Sequence, residues 1–400
     1  MPNTHTPILI IGAGPTGLAL ANYLARAGVA FKIIDKNTAR SDKSKALGMQ
    51  AGTLESIEES LGTAVAEAFV NTGKPVQHIQ INPYHRAVVH VDISTIPSRY
   101  NYVLLIPQSE TERLLEQNLN QQGIFVEREC ELISLQEESD SVLATLKTQS
   151  GNEVITADFA VGCDGASSTV RHQLNIPFAG GEYTGDFILG DVEFKKPQPV
   201  ALQIFLSEHG ALACFPLLEE KRARLILIPK KQENADTRDI SFEEFKEIAS
   251  NLSPLSNSLE KGIWLTRFSI HHRIASHFRK GRVFLAGDAA HIHSPAGGQG
   301  MNTGIQDAFN LGFKFVKVLS GKEDLKLLDL YEQERYPVAQ RILRGTDIAS
   351  RVLFANTPLP RFLKEFVLPW IAKKKWFQRR MALAISELKT ARKEIELRKS

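Results

Sequence analysis

The chain has 400 residues, 43% of them hydrophobic and 23% charged, which is typical of a globular protein with two domains or one large domain carrying an insertion. Its three widely spaced cysteines exclude a disulfide framework and indicate reduced thiols in the cytoplasm, and no apolar run is long enough for a signal peptide or a transmembrane helix. The net charge of +3 is uneven: residues 361–400 hold seven Lys and five Arg against four Glu, so the rest of the chain is acidic, which disfavours nucleic-acid binding.

The first 35 residues predict a strand, a glycine-rich turn, a helix and a second strand. An apolar run at residues 8–11 precedes the sequence GAGPTG, a helical pattern follows, and a second apolar run at residues 30–34 ends at Asp35. In such a unit Gly12 permits a tight turn, Gly14 lets a phosphate approach the backbone, and Gly17 lets the helix pack closely on the strand. Asp35 is suited to a free ribose hydroxyl, which favours FAD or NAD over NADP.

Beyond residue 35 the pattern predicts an alternation of helices and strands. We predict a helix near residues 51–60, strands within 75–106, a helix over 109–121 and a strand and turn at 151–165. Short β-like runs dominate residues 176–274, with one helix near 242–252, and helices fill most of the remainder. The predicted fold is α/β, with a Rossmann-like domain, an inserted β-rich domain and a helical C-terminus. The predicted boundaries are 1–175 and 276–345 for the Rossmann-like domain, 176–275 for the insertion and 346–400 for the C-terminal segment, and the strands near 75–106 are candidates for the inserted sheet.

A third glycine-rich stretch runs from Gly287 to Ala308. It contains five glycines but only two acidic residues, Asp288 and Asp307. It follows an apolar run at residues 283–286 and leads into a predicted amphipathic helix that begins near Gly300. A glycine-rich segment with one carboxylate near its start indicates that the backbone approaches a ligand closely.

Three motifs therefore occur in order along the chain. They are Gly12-x-Gly14-x-x-Gly17, Cys163-Asp164-Gly165 with Arg171, and Gly287-Asp288 followed by His291 and Pro295-x-Gly297-Gly298-x-Gly300-Met301-Asn302. Together they resemble the single-component FAD-dependent aromatic hydroxylases of the p-hydroxybenzoate hydroxylase fold, and the third motif is most similar to the phenol and polyketide hydroxylase branch. The resemblance extends over nearly all of residues 5–345. It implies that the Rossmann-like domain binds FAD and that the β-rich insertion binds the substrate.

The resemblance also implies roles for single residues. Asp288 would accept a hydrogen bond from the ribityl chain, and the helix beginning near Gly300 would direct its N-terminal dipole at the flavin. Lys45 stands where relatives usually have Arg near the pyrophosphate, which keeps the charge but loses the planar fork. The complete set of cofactor-binding candidates is Gly12, Gly14, Pro15, Thr16, Gly17, Asp35, Lys36, Lys45, Gln108, Arg113, Asp164, Gly287, Asp288, Pro295, Gly298, Gly300, Met301 and Asn302.

The activity implied by the resemblance is hydroxylation of an aromatic substrate of the phenolic, polyketide or quinone-like type. The enzyme would use NADPH or NADH and O₂ and act through a flavin C4a-hydroperoxide. Alternatives are a flavin-dependent reductase or dehydrogenase of the same fold, an antibiotic-modifying monooxygenase, and an FAD-bound module without turnover. A flavin-dependent halogenase is disfavoured because the expected Trp-x-Trp-x-Ile-Pro stretch is absent. The sequence identifies no catalytic base and leaves the oligomeric state open.

Several candidates also have structural interpretations. Asp288 could cap a strand end, and Asp164 could form an ion pair with Arg171 instead of serving a cofactor. Cys163 fits a small buried filler better than a nucleophile. The His-x-His pair at residues 291 and 293 lacks further ligands at a suitable spacing, so we expect no metal site.

Two further regions leave alternatives open. Phe205, Phe215 and Pro216 either line a substrate pocket or belong to an ordinary sheet core. In the basic tail, Trp370 and Trp376 lie beside the cationic runs 373–375 and 379–380. We expect this segment to dock on the FAD domain with its cations in water, and weak peripheral binding to an anionic membrane is the alternative hypothesis.

Overall fold

The computed structural model describes residues 4–41, 46–83, 88–182, 187–230, 239–268, 271–293, 298–354, 370–371 and 374–399. The elements up to residue 182 are, in chain order, β1 (Thr4–Ile11), α1 (Pro15–Arg26), β2 (Lys32–Ile34), β3 (Gly48–Met49), α2 (Ala51–Leu61), α3 (Thr63–Thr72), β4 (Lys74–Val76), β5 (His78–Pro83), β6 (Val89–Asp92), β7 (Val103–Leu105), α4 (Gln108–Asn120), β8 (Glu131–Glu137), β9 (Val142–Thr148), β10 (Gly151–Gly162), α5 (Thr169–Gln173) and β11 (Phe178–Glu182). The elements beyond it are β12 (Phe187–Phe194), β13 (Leu202–Ser207), β14 (Gly210–Pro216), β15 (Arg222–Pro229), α6 (Phe242–Leu252), β16 (Leu259–Phe268), β17 (His271–Ala275), β18 (Arg279–Lys280), β19 (Val283–Leu285), β20 (His291–Ile292), α7 (Gly300–Leu319), α8 (Asp329–Phe354), α9 (Lys375–Ser386) and α10 (Leu388–Lys399).

The Rossmann-like domain is built on a sheet with the strand order β18-β19-β10-β1-β2, in which β19, β10, β1 and β2 run parallel. Strands β18, β9 and β8 pair antiparallel with their neighbours. Ile8, Leu9 and Ile10 of β1 are all fully buried, as expected where helices cover both faces of a parallel sheet. Because β1, β2, β10 and β19 run parallel, their carboxyl ends lie at one edge of the sheet. The three sequence motifs follow these strand ends and are therefore brought together at that edge, where α/β proteins bind their ligands.

The β-rich domain is a seven-stranded sheet with the order β16-β12-β15-β14-β13-β5-β6. Strands β5 and β6 thus join it from the first part of the chain, through parallel pairing of β5 with β13. Strands β3, β4 and β7 form a small separate sheet. The strands predicted within residues 75–106 are therefore divided between two sheets.

The two faces of this seven-stranded sheet differ in burial. On one face, alternate residues lie fully buried beneath α6: Ile188, Val192, Leu212, Leu225 and Leu227. The opposite face is mixed. Phe187, Leu189 and Leu206 are buried there, whereas other apolar residues of this face are only half-buried: Leu202, Ile204, Phe215, Ile226, Ile228, Trp264 and Phe268. Leu202, Ile204 and Phe215 pack against the large core that spans the Rossmann-like sheet and strands β5 and β6. Because α6 covers the first face, this second face is the one that faces the large core. We call it the FAD-facing wall.

The two C-terminal helices pack on different parts of the protein: α9 contacts β6 of the β-rich sheet, and α10 lies on the Rossmann-like domain. Helix α10 lies against α2 and α7, where Gly52 leaves room for the backbone of Glu387. Arg392 of α10 forms a bidentate ion pair with Glu55 of α2, at 2.9 and 2.7 Å. Residues 375–399 are thus docked on the body of the protein. Among the described residues, no helix combines the length and apolar character needed to cross a membrane.

Candidate functional site

The glycine-rich turn after β1 presents a bare backbone to one side. Gly12 has a φ of +103°, and a Cβ there would lie 2.5 Å from the carbonyl oxygen of Cys163. A Cβ on Gly17 would lie 1.9 Å from the Gly12 carbonyl oxygen, so α1 can approach the strand only without a side chain. By contrast, no described protein atom lies within 4 Å of a Cβ built on Gly14. The open space at Gly14 and the N-terminus of α1 fit a pyrophosphate.

Asp35 follows β2 at the same edge of the sheet. One carboxylate oxygen accepts a hydrogen bond from the Ala13 amide at 2.8 Å, and the other accepts from the Asn37 amide at 2.9 Å. The carboxylate thus braces the glycine turn and keeps unused lone pairs for a ribose hydroxyl. Lys36, the next residue, is exposed to solvent.

Helix α4 carries the candidates Gln108 and Arg113. The Gln108 amide donates to the Ala46 carbonyl oxygen, and its side chain donates to Glu112. Arg113 bonds to Glu110 and Gln117 of its own helix, so the structure shows it in local contacts. Lys45 and Pro295 lie outside the described residues.

Two arginines outside the three sequence motifs lie near Asp35. Arg40 and Arg128 both bind the Glu116 carboxylate, at 2.7 and 2.8 Å, and Arg128 also lies 3.9 Å from Asp35. Arg40 stands only five residues beyond Asp35, which is a signal the sequence offered. Arg128 is placed there by the parallel bridge between Ile34 and Glu127, which no local pattern indicates.

The loop after β19 brings the third motif against the glycine turn. Gly287 has a φ of +61°, and a Cβ there would lie 2.4 Å from Oγ1 of Thr16. A Cβ on Gly304 of α7 would also lie 2.4 Å from this oxygen. Thr16 is therefore wedged between the loop and α7. In residues 283–291 every residue except Asp288 is buried, so the chain turns this one carboxylate outward at the edge where the motifs meet.

The first turn of α7 is fastened to β3 by a buried amide. The Asn302 side chain accepts from the Gln50 amide at 2.8 Å and donates to the carbonyl oxygens of Gly48 and Gly298 at 2.9 and 2.8 Å. Gly298 has a φ of +60°, and Met301 is 9% exposed. Asn302 thus fixes the direction of the helix N-terminus, whose dipole favours negative charge in front of it.

Buried charges support the loop and α7 from behind. The Asp307 carboxylate accepts from the Gly287 amide at 3.1 Å, from His291 at 2.7 Å and from Arg335 at 2.5 Å. Arg335 is fully buried and also forms an ion pair with Glu394 of α10. Burial alone would raise the pKa of Asp307, but Arg335 and His291 bring it below its ordinary value. The charge network therefore connects the loop carrying Asp288 to the C-terminal helix.

The middle motif also has a connecting role. Asp164 accepts a hydrogen bond from the Val170 amide at 3.1 Å, and burial raises the pKa of its carboxyl. The Arg171 guanidinium donates to the carbonyl oxygens of Ala289 and Ala166, at 3.0 and 2.9 Å. Arg171 thus ties the middle motif to the third motif through backbone carbonyls.

Cys163 and the histidine pair have structural surroundings. Cys163 is buried, and burial raises the pKa of its thiol well above the ordinary value, which leaves it unreactive. His291 binds Asp307, and its ring stacks with that of His293 at a centroid distance of 6.2 Å. No group of three or more potential metal ligands occurs in the described part of the chain.

The three substrate candidates lie on two different faces of the β-rich sheet. Phe205 packs with the core beneath α6, and Pro216 is paired with Ala223 of the same core. Phe215 is half-buried and belongs to the FAD-facing wall. Of the three, only Phe215 therefore lies on the FAD-facing wall.

Comparison with known proteins decides the family. Residues 5–346 match the model of the FAD binding domain family. The chain belongs to this family. It is 36% identical over 346 residues to an uncharacterized aromatic compound monooxygenase of Bacillus subtilis (strain 168), covering 86% of this chain and 68% of that protein. It is 32% identical to the pentachlorophenol 4-monooxygenase of Sphingobium chlorophenolicum, covering 87% and 65% respectively, so the chain spans about two thirds of the length of these relatives.

Solved structures agree with this membership. OxyS anhydrotetracycline hydroxylase from Streptomyces rimosus superposes with a TM-score of 0.79 at 31% identity, over 96% of this chain and 76% of that chain. CabE, an aromatic hydroxylase from angucycline biosynthesis, gives a TM-score of 0.80 at 29% identity, with the same coverage. For this member of the FAD-binding family, the predicted fold class, the FAD cofactor and the assignment as a flavin-dependent aromatic monooxygenase are confirmed.

Proposed function

We propose that this FAD-binding protein uses NAD(P)H and O₂ to add one hydroxyl group to a planar aromatic substrate held against the FAD-facing wall. The observation that carries the proposal is the pairing of a bare, positively polarised edge of the Rossmann-like sheet with a half-buried apolar sheet face. FAD, when bound, would accept a hydride from the nicotinamide and activate O₂. The chain's own contribution is to bind the cofactor, hold the substrate and exclude water.

The residues at the sheet edge fit FAD in distinct ways. The backbone at Gly14 leaves space for the pyrophosphate, and Asp35 has lone pairs available for a ribose hydroxyl. Asp288 is turned outward from a buried segment, where its carboxylate would accept a hydrogen bond from the ribityl chain. The N-terminus of α7, aligned by Asn302, would stabilise negative charge on the reduced ring.

The relatives favour a substituted phenol or a multi-ring aromatic as the substrate. Their names include a pentachlorophenol 4-monooxygenase, a 6-methylpretetramide 4-monooxygenase and rifampicin monooxygenases. A flat row of apolar side chains across five strands suits the larger of these ring systems. An antibiotic-modifying activity is therefore one form of the same proposal.

The test is NAD(P)H oxidation by the FAD-loaded protein against a panel of phenols, naphthols and hydroxyquinones, with NADH and NADPH compared. We expect slow oxidation alone and many-fold acceleration by a suitable aromatic, because substrate binding gates reduction in such enzymes. The product should be heavier than the substrate by one oxygen atom. Equal rates with and without every aromatic tested would favour a reductase or dehydrogenase of the same fold.

We also propose that the exposed part of the C-terminal segment makes weak contact with anionic lipid. Trp370 and Trp376 are 64% and 62% exposed, and Lys374 and Lys375 are exposed beside them. Exposed aromatic and cationic side chains together are typical of interfacial segments. Vesicles with anionic lipid at low salt should sediment the protein but not a Lys374→Glu/Lys375→Glu variant, whereas a Lys322→Glu/Lys326→Glu control should behave like the parent. Equal recovery of all three proteins in the supernatant would refute the contact.

We further propose a reducing compartment such as the cytoplasm. The three cysteines, Cys130, Cys163 and Cys214, are all free and buried. Free thiols are typical of proteins that remain in a reducing environment.

A further inference from the structure

One ion pair interrupts the apolar FAD-facing wall. Asp191 of β12 lies opposite Arg224 of β15 on one side and opposite Trp264 of β16 on the other. Arg224 in turn lies opposite Phe215 of β14. Residues opposite each other in antiparallel strands share a face, so these four side chains form one row across the wall.

The Arg224 guanidinium is held on only one of its sides. Its Nε and Nη2 donate to the two Asp191 oxygens at 2.7 and 2.9 Å, and its carbon lies 5.7 Å from the centre of the Trp264 ring. The Arg224 side chain is only 3% exposed. Its remaining nitrogen, Nη1, is buried and has no hydrogen-bond partner in the part of the chain that the structure describes.

An unpaired buried donor of this kind indicates a missing acceptor. Leaving a buried N–H without a partner costs about 1–3 kcal/mol, more when the group is charged. A bidentate pair through Nε and Nη2 directs Nη1 away from Asp191, so in this buried place its two N–H groups need an acceptor of their own. The neighbouring Arg222, by comparison, lies on the same face at the start of β15, is partly exposed and binds Glu219 at 3.0 Å.

The charge balance limits what can bind. Asp191 already compensates the positive charge of Arg224, so a second full carboxylate in this dry place would be poorly matched. A ring carbonyl or a delocalised phenolate oxygen can accept hydrogen bonds from the two N–H groups of Nη1. Neither requires an additional, uncompensated positive charge. The half-buried side chains of Phe215, Ile226 and Trp264 would contact the flat faces of the rings.

We propose that Nη1 of Arg224 is the polar anchor of the substrate and donates to a carbonyl or phenolate oxygen of an aromatic ring system lying on the FAD-facing wall. This inference rests on the proposed function, since it specifies the substrate of that site. It makes Arg224 a specificity-determining residue and Asp191 the residue that orients it.

The test measures binding of three probes: naphthalene, 2-naphthol and 2-hydroxy-1,4-naphthoquinone. Quenching of tryptophan fluorescence reports binding, and a Trp264→Phe variant identifies the part of the signal that comes from the wall. The readout needs neither turnover nor bound flavin, so a failure of the monooxygenase proposal would leave it intact. The wild type should bind the two oxygenated probes about tenfold or more tightly than naphthalene.

The variants separate recognition from folding. The double variant Asp191→Asn/Arg224→Gln leaves no buried charge and should lose the preference for oxygenated probes while binding naphthalene as before. The single variant Asp191→Asn keeps Nη1 but removes the compensating charge, so it should bind the ionised hydroxynaphthoquinone more tightly than the wild type. Arg222→Gln is the matched control and should change nothing.

Three outcomes would overturn the assignment. The first is a wild type that binds the oxygenated probes no more tightly than naphthalene. The second is a double variant that keeps the preference, and the third is equal loss of all three probes, which would make the pair purely structural. Should the double variant not fold, the Asp191→Asn variant decides by the direction of its change.

Discussion

Asp288 is the single exposed residue of the otherwise buried segment 283–291, and we propose that it contacts FAD directly. We predict that Asp288→Ala weakens FAD binding about 10-fold to 100-fold, because a hydrogen bond to a charged group contributes about 1.5–3 kcal/mol. Equilibrium dialysis or flavin fluorescence would measure the change. Asp140→Ala, in the exposed turn between β8 and β9, is the control. An unchanged affinity in the Asp288 variant would remove this residue from the site.

Gly304 is required by the close approach of α7 to Thr16. We predict that Gly304→Ala lowers the free energy of unfolding by about 1–3 kcal/mol, because the new Cβ would lie 2.4 Å from the Thr16 hydroxyl. Thr16→Ala in the same chain should restore most of the loss, since it removes that oxygen. Gly345→Ala is the matched control, because no atom of the described residues lies within 4 Å of its Cβ and alanine favours a helix. Urea unfolding would measure the free energies of unfolding. If Thr16→Ala did not restore the stability lost in Gly304→Ala, the packing described would be contradicted.

At the level of residues, the sequence predicted the parts of the site that depend on local chemistry. Gly12 and Gly17 stand in the conformations and contacts that a nucleotide-binding turn demands. Arg128 and Arg224 could not be found in this way, because their positions depend on pairings between strands far apart in the chain. Phe205 and Phe215 look alike in sequence, and only the strand register shows that they face opposite sides.

The junction between α9 and α10 carries a carboxyl group that the fold disfavours when ionised. Burial raises the pKa of Glu387 from 4.5 to about 7. A carboxyl with a raised native pKa contributes its full stability below the unfolded pKa and loses that contribution as pH rises through the native pKa. The free energy of unfolding of the wild type should therefore fall between pH 4.5 and about pH 7, as Glu387 ionises.

We predict that Glu387→Gln removes this pH dependence, since glutamine cannot ionise. At about pH 8 the variant should exceed the wild type in free energy of unfolding by about 1–3 kcal/mol, and at about pH 4 the difference should be small. Urea titrations at both pH values give the comparison, with exposed Glu323→Gln as the control. A variant that is equally destabilised at both pH values would show that the carboxylate is needed for packing.

Element boundaries followed the sequence where the periodic pattern was strong. The helix predicted at residues 109–121 is observed at Gln108–Asn120, and the one predicted at 51–60 is observed at Ala51–Leu61. The strands within 75–106 were recognised as strands, but their division between two sheets depends on parallel pairing with β13. Pairing between distant strands leaves no local periodicity, so the sequence alone does not decide it.

A network of buried charges joins three helices of the molecule: Asp307 of α7, Arg335 of α8 and Glu394 of α10. We predict that Glu394→Gln lowers the free energy of unfolding by about 1–3 kcal/mol and weakens FAD binding, because it removes one acceptor of the buried Arg335. Glu396→Gln on the exposed side of the same helix should change neither quantity. Thermal unfolding with and without FAD measures both effects. Identical behaviour of the two variants would show that α10 is not coupled to the flavin site.

The central claim is that this fold transfers one oxygen atom from O₂ to an aromatic ring. The most direct measurement is turnover of the FAD-loaded protein under ¹⁸O₂, with NAD(P)H and the aromatic that accelerates oxidation most, followed by mass spectrometry of the product. We predict a hydroxylated product that carries one ¹⁸O atom. Consumption of NAD(P)H that yields only hydrogen peroxide with every aromatic tested, or a product whose new oxygen comes from water, would contradict it.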